Sequence, residues 1–311
     1  MKIGIVGAGA VGTACMVAMA LRGSAREIVL VNRSFERAKG VVSDLRYGAV
    51  LAPAVSLRAG AYSELRDAAL VVITAGVNEK AGGATDRGDA AGRLRLLGTN
   101  ARIYREIVPR IVAVAPDALL LVVTDPPDPL ADVARLVARH DRVLSAGTFL
   151  DSLRFRCHLG ARLAVDPRSV EAQVIGEHGT SQVYLWSTAS VAGTPILPAM
   201  LPKDSDAGAF RRSVEEEVRY ANINIIEGTG ASQLGIAVVA ARIAEIIARA
   251  EPAVVPIGSY REEFGVTLSL PSQIGRNGVS RVLMPALAED EAHGLQSSAA
   301  ALCKALESVE A

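Results

Sequence analysis

Hydrophobic and polar positions alternate along this chain in two different rhythms. Residues 2–6 (KIGIV), 27–32 (EIVLVN), 69–74 (ALVVIT), 118–124 (ALLLVVT) and 142–146 are short, nearly continuous apolar runs. Such runs are expected of strands covered on both faces, as in a parallel sheet. Helical stretches separate the strands: residues 13–21 follow the first strand, and 34–48 follow the second, with Ser34 at the N-cap position and Glu36 in the first turn. Strand and helix in strict succession predict an α/β fold with a doubly wound parallel sheet. Past Gly147 the rhythm changes. A helix is expected from about Asp151, strand-like stretches over 170–175 and 182–187, and long amphipathic helices over 207–226 and 232–248. Extended segments at 254–259 and 266–270 and a terminal helix to 308 complete the pattern. This second part reads as α+β, with a domain boundary near 147: residues 1–147 and 148–311. Between residues 75 and 93 the pattern dissolves around Gly82, Gly83, Gly88 and Gly92. A long loop at a strand's carboxyl end predicts a lid over a ligand site.

The turn after the first strand is Gly7-Ala8-Gly9-Ala10-Val11-Gly12, a G-x-G-x-x-G placed between a strand and a helix. In that setting Gly7 makes the tight turn and Gly9 lets a pyrophosphate approach the backbone. Gly12 packs helix on strand, and the helix N-terminus with its free N–H groups at Ala10 and Val11 faces the phosphates. The same stretch has the look of a secretory leader, since residues 3–21 carry no charge and Lys2 precedes them. Four glycines at 4, 7, 9 and 12 and the completed β-α-β pattern favour the dinucleotide reading.

Composition narrows the partners. Lys and Arg total 33, matched by 33 Asp and Glu, with no basic tract. That balance argues against nucleic acid or an anionic membrane surface as partner, and the 4 % aromatic content removes base-stacking platforms. After Leu21 no apolar window long enough for a membrane span recurs. Cys15, Cys157 and Cys303 lack any C-x-x-C spacing and read as small core residues in a reducing, cytoplasmic setting, with no metal site.

Eight segments in register resemble the lactate/malate dehydrogenase family: GAGAVG (7–12), ERAKG…DL-x-YG (36–48), TAGVN (74–78), RLRLLGTN (93–100), GTFLDSLRFR (147–156), IGEHGTSQVYLW (175–186), GTGASQLGIA (228–237) and LSLPSQIGRNGVSRVL (268–283). The resemblance implies a Rossmann domain followed by an α+β substrate domain, and hydride exchange between a nicotinamide cofactor and a 2-oxo or L-2-hydroxy acid. It implies His178 as acid/base, a role suited to an imidazole near neutral pH, and Asp151 as the carboxylate holding its other ring nitrogen. Arg154 matches the arginine that grips the substrate carboxylate, Arg93 the arginine that polarises the carbonyl, and Ser232 a hydroxyl beside the substrate. Thr74, Ala75 and Gly76 match the cofactor-side segment. A homodimer or homotetramer built on the helices at 34–48 and 232–248 is also implied. Read without the family, Asp151 and Arg154 are a solvated helix pair, and Arg87 competes with Arg93; His140, His158 and His293 read as structural.

Three positions depart from the family pattern. Where members that prefer NAD carry an acid at the end of the second strand, this chain has Asn32, followed by Arg33 and Ser34. Loss of the carboxylate and gain of a cation favour NADP(H). Asp125 replaces the family's asparagine; an ionised aspartate accepts hydrogen bonds but does not donate them. Glu79 stands where a glutamine or arginine selects the substrate side chain, and its charge disfavours a second carboxylate unless Lys80 or Arg87 takes its place. The expected activity is therefore an NAD(P)-dependent 2-hydroxy acid dehydrogenase with an atypical small-molecule substrate. The alternatives are an idle dinucleotide-binding relative acting as sensor or assembly subunit, and an NAD-dependent glycosidase, whose metal-binding Cys/His pair is not apparent.

Overall fold

The structure is a computed structural model, and it describes residues 1–77, 94–201 and 206–310. The expected roles of Arg93 and Glu79, their rivals Lys80 and Arg87, and the loop at 79–92 lie outside the described residues.

Six strands run parallel through the first half: β1 (Lys2–Val6), β2 (Glu27–Val31), β3 (Ser56–Gly60), β4 (Leu70–Ile73), β5 (Leu119–Val122) and β6 (Val143–Ser145). Between them lie α1 (Ala10–Arg22), α2 (Phe35–Ala49), α3 (Leu94–Val112) and α4 (Pro127–Ala138). Both β4 and β5 are buried along their whole length, as their unbroken apolar sequences require. β3, with its polar residues, is an edge strand that hydrophobic pattern did not reveal. Ser34 caps α2 as expected, its Oγ accepting the Arg37 N–H at 3.3 Å. β1 sits inside the sheet between β2 and β4, so the first apolar run is a core strand.

The second half contains α5 (Phe149–Leu163), the short strands β7 (Val170–Glu171), β8 (Val174–Ile175), β9 (Val183–Tyr184), β10 (Ser190–Val191) and β11 (Thr194–Pro195), and then α6 (Ala207–Arg219), α7 (Ala221–Thr229) and α8 (Leu234–Arg249). A hairpin of β12 (Val254–Arg261) and β13 (Val266–Gly275), the strand β14 (Gly278–Val282) and α9 (Glu289–Glu310) close the chain. The single helix expected over 207–226 is two helices joined at Tyr220. Their packing partners differ: Val214 and Val218 of α6 join a cluster with Phe155 and Trp186, whereas Asn222 of α7 borders the cleft described below. The strand-like stretches 170–175 and 182–187 yield only two-residue strands. Cys157 is exposed rather than a core residue; Cys15 is buried, and all three thiols are free.

The main sheet does not stop at Gly147. Its order is β14-β13-β12-β6-β5-β4-β1-β2-β3, with β12 running antiparallel to β6 through the pair Gly258 and Ser145. The carboxyl ends of the parallel strands and α5 border one crevice, where ligands of open α/β sheets bind. Among the described residues no single helix is long and apolar enough to cross a membrane; α8, the most apolar long helix, is largely buried against α1 and the sheet.

Candidate active site

The first wall of the crevice is the glycine turn. Gly7 has φ +115°, a conformation that other residues rarely adopt, and a Cβ on Gly12 would lie 1.9 Å from the Gly7 carbonyl oxygen. Close packing of α1 on β1 is therefore possible only with glycine. Gly9, by contrast, has open space where its Cβ would be. No side chain caps the α1 N-terminus and its first turn holds no acid, so its N–H groups and positive dipole end suit an anionic phosphate. This cradle fits the pyrophosphate of a dinucleotide. Thr74 braces it, its hydroxyl donating to the Gly7 carbonyl at 3.1 Å. Ala75 is held from behind by the Thr124 hydroxyl at 3.0 Å.

At the end of β2, Asn32 is engaged on both sides of its amide. Its Oδ1 accepts the Ala8 N–H and its Nδ2 donates to the Ser34 carbonyl, both at 3.0 Å. Arg33 and Ser34 are exposed beside it, and Arg37 Nε donates to the Ala8 carbonyl at 2.7 Å. These residues lie at the rim and do not line the central cleft.

The opposite wall comes from the second half. Asp151, in the first turn of α5, is only 2 % exposed. It accepts from Arg154 Nη1 at 3.0 Å on one oxygen and meets His178 Nδ1 at 2.5 Å on the other. Asp151 and Arg154 are therefore an inward-facing pair, with the carboxylate buried and the guanidinium largely so, rather than a solvated one. The arginine's charge and the imidazole's hydrogen bond offset the cost of burying the carboxylate. His158, by contrast, pairs with Glu217 away from this site.

Gly9, Ala10, Val11, Thr74, Gly76, Thr124, Asp125, Arg154, His178 and Ser232 line one cleft. The structure thus brings together residues separated by more than 200 positions. Gly7, Gly12 and Ala75 shape the cleft from behind. Asp125 precedes a cis Pro126 and borders the cleft.

Sequence reasoning missed three contributors. Asn100 on α3 is fully buried; it accepts the Val77 N–H at 2.8 Å and donates to the Asp125 carbonyl at 2.9 Å, tying two cleft segments together. Asn222 lines the cleft from α7. Asp128 at the start of α4 accepts the His178 main-chain N–H at 2.7 Å. Among the described residues no cluster of His, Cys, Asp and Glu is arranged to hold a metal.

Fold and cleft define a Rossmann-type dinucleotide-binding protein whose C-terminal α/β part completes the site. Comparison with known sequences gives the same class. The family profile for the lactate/malate dehydrogenase NAD-binding domain matches residues 1–144, and that for the α/β C-terminal domain matches 148–311. An L-lactate dehydrogenase of Deinococcus radiodurans is 41 % identical over 306 residues, covering 97 % of each chain. That of Thermus aquaticus is 38 % identical over 312 residues, covering 96 % of each. The solved structure of a lactate dehydrogenase from a Medee basin deep-sea metagenome library matches with a TM-score of 0.90 and 32 % identity, over 100 % of this chain and 99 % of the other. This chain belongs to the lactate/malate dehydrogenase family and is a nicotinamide dinucleotide-dependent dehydrogenase.

Proposed function

We propose that the protein interconverts a small 2-oxo acid and the corresponding L-2-hydroxy acid, with His178 as the acid/base, and that it uses NADP(H) in preference to NAD(H). The observation that carries the reading is the pairing of His178 with the buried Asp151, facing the glycine turn across one cleft. When bound, the nicotinamide ring supplies or accepts the hydride at the substrate carbon. With Asp151 holding the hydrogen on Nδ1, the proton for the substrate oxygen is handled at Nε2. Asp151 stabilises the imidazolium as it forms. Arg154, held at one nitrogen by Asp151, has further N–H groups in the cleft for the substrate carboxylate. Arg93 is assigned the polarisation of the carbonyl, and Ser232 contact with the substrate, by family resemblance.

Relatives named L-lactate dehydrogenase support an L-2-hydroxy acid product. Glu79 in the sequence opposes a second carboxylate, which favours a neutral or cationic side chain on the substrate over malate. The cofactor preference rests on Asn32, Arg33 and Ser34: no acid follows β2 to repel a 2′-phosphate, and a guanidinium lies exposed beside it. Apolar residues exposed on α2 and the following turn (Tyr47, Val50, Leu51) and on α8 (Leu234, Val238) fit self-association into a dimer or tetramer. The free thiols fit a reducing cytoplasm.

The test is oxidation of NADPH and NADH, measured separately, against 2-oxo acids with acidic, neutral and basic side chains. His178→Asn should abolish turnover while cofactor binding persists. Unchanged turnover in that variant would remove His178 from its role. Cofactor binding with no turnover of any 2-oxo acid would make the chain an idle dinucleotide binder.

A further inference from the structure

His178 has a second acidic neighbour besides Asp151. Asp128 lies in the first turn of α4 and is wholly buried. Its Oδ2 accepts the main-chain N–H of His178 at 2.7 Å, and its Oδ1 accepts the Ser145 hydroxyl at 2.6 Å. The Ser145 oxygen in turn accepts the Gly147 N–H at 3.0 Å. One carboxylate therefore joins the turn that carries Asp125, the Gly147 turn and the His178 segment, and all three of those residues border the cleft. The site is built for an acceptor, since both immediate partners donate, so a carboxylate fits without leaving an orphaned donor. Little room remains around it: a Cβ on Gly258 would come within 2.8 Å of Oδ1. On the far side of the segment Ser298 of α9 accepts the Glu177 N–H at 2.8 Å, so the loop is tied down at either end of the 177–178 peptide.

Charge adds to geometry. Burial pushes the Asp128 carboxyl up to about 7. The Ser145 hydroxyl, the His178 N–H and the charge of His178 oppose that rise, and Glu177 adds to it. Asp128 and His178 thus favour each other's charged forms. Among the described residues, charged and titratable groups facing His178 include Asp151 and Arg154 from α5, Asp128 from α4, Asp125 from the adjoining turn, and its neighbour Glu177. Among the described residues, those facing Asp128 are His178 and Glu177, while Gly258 of β12 and Ser145 of β6 pack against it.

We infer that Asp128 is a second carboxylate for His178, fixing the imidazole's position through the main chain and supporting its protonated form through space. Asp128 is a positioning residue, acting through His178, and this rests on the reading of His178 as the proton-transfer group. Asp151 alone would fix the ring; Asp128 fixes the backbone from which the ring extends.

The test measures kcat, KM for cofactor and substrate, and the pH dependence of kcat/KM in the reductive direction, for the full-length enzyme and its variants. Asp128→Asn keeps an acceptor for the His178 N–H but removes the charge. Its alkaline limb should move to lower pH by about half a unit to one unit, with cofactor KM within about twofold of the parent. Asp128→Ala removes the acceptor as well, and kcat should fall by about tenfold or more across the pH range. Ser145→Ala takes one donor from Asp128 and weakens its charge, so the limb should shift the same way by less; this variant serves if Asp128→Asn does not fold. A limb superimposable on the parent's in whichever of these folds overturns the inference, as does a loss of cofactor binding in proportion to turnover. Failure of the functional reading looks different: the parent itself then binds cofactor and reduces no 2-oxo acid, or its alkaline limb survives His178→Asn, and either result overturns the inference too.

Discussion

Two glycines of the first turn, Gly9 and Gly12, should respond to the same substitution in opposite ways. At Gly12 a methyl group would lie 1.9 Å from the Gly7 carbonyl oxygen and 2.6 Å from Thr74 Oγ1. Real Cβ atoms essentially never come under 3.0 Å, so helix α1 and the turn would have to part by about 1 Å. The obstacle is backbone and does not swing aside. Overpacking of this kind costs about 1–3 kcal/mol, which for a chain of this size lowers Tm by roughly 2–5 °C. At Gly9 nothing lies within 4 Å of the added methyl, and φ is −75°, a value alanine adopts freely. Gly9→Ala should therefore fold with a Tm within about 2 °C of the parent. Its methyl, however, occupies the space the pyrophosphate needs, so the cofactor Kd should rise by about tenfold or more. Differential scanning fluorimetry reads the first quantity, and titration of NADPH or NADH fluorescence the second. The reasoning fails if Gly9→Ala loses as much Tm as Gly12→Ala, or if it binds cofactor as tightly as the parent.

Two further outcomes are expected. Asn32→Asp restores an acid after β2 while keeping an acceptor for the Ala8 N–H, so the ratio of kcat/KM for NADPH to that for NADH should drop by about tenfold; an unchanged ratio would detach cofactor choice from this position. The second concerns stability. Because burial raises the Asp128 carboxyl from 3.8 to about 7, the folded state favours its protonated form. That contribution is complete below about pH 4 and is lost as pH rises through 7, a swing of about 4 kcal/mol for a shift of roughly three units. Asp128→Asn escapes the loss, so urea melts should show the variant gaining on the parent between pH 5 and pH 8; a stability difference that stays constant with pH would contradict this.

The parallel half of the fold was legible because its strands are buried on both faces and so read as unbroken apolar runs, β4 and β5 most clearly. β3 was not, since an edge strand shares its composition with loops. The second half was harder. Tyr220 carries no sequence mark of a helix break, and α6 and α7 separate there only because they pack on different neighbours. Nor did β12 and β13 announce that they would extend the main sheet, which depends on the meeting of Gly258 with Ser145. In the site, His178, Asp151 and Arg154 were readable because their chemistry is local to short motifs. Asp128 and Asn100 were not, because their importance lies in which distant backbone groups they meet. The fit of Asn32 between Ala8 and Ser34 was equally invisible until the turn and the strand end stood side by side.

The crossing of Gly258 and Ser145 carries a consequence for how such an enzyme can vary. The main sheet passes from the dinucleotide half into the hairpin through that pair, and the Gly176–Ser269 bridge fastens the segment bearing the imidazole to the same hairpin. The span over which hydride and proton must travel is thus set by the scaffold, like the gauge of a railway. New substrates can be accommodated by rewriting the loops above that track, but widening it would mean dismantling the sheet.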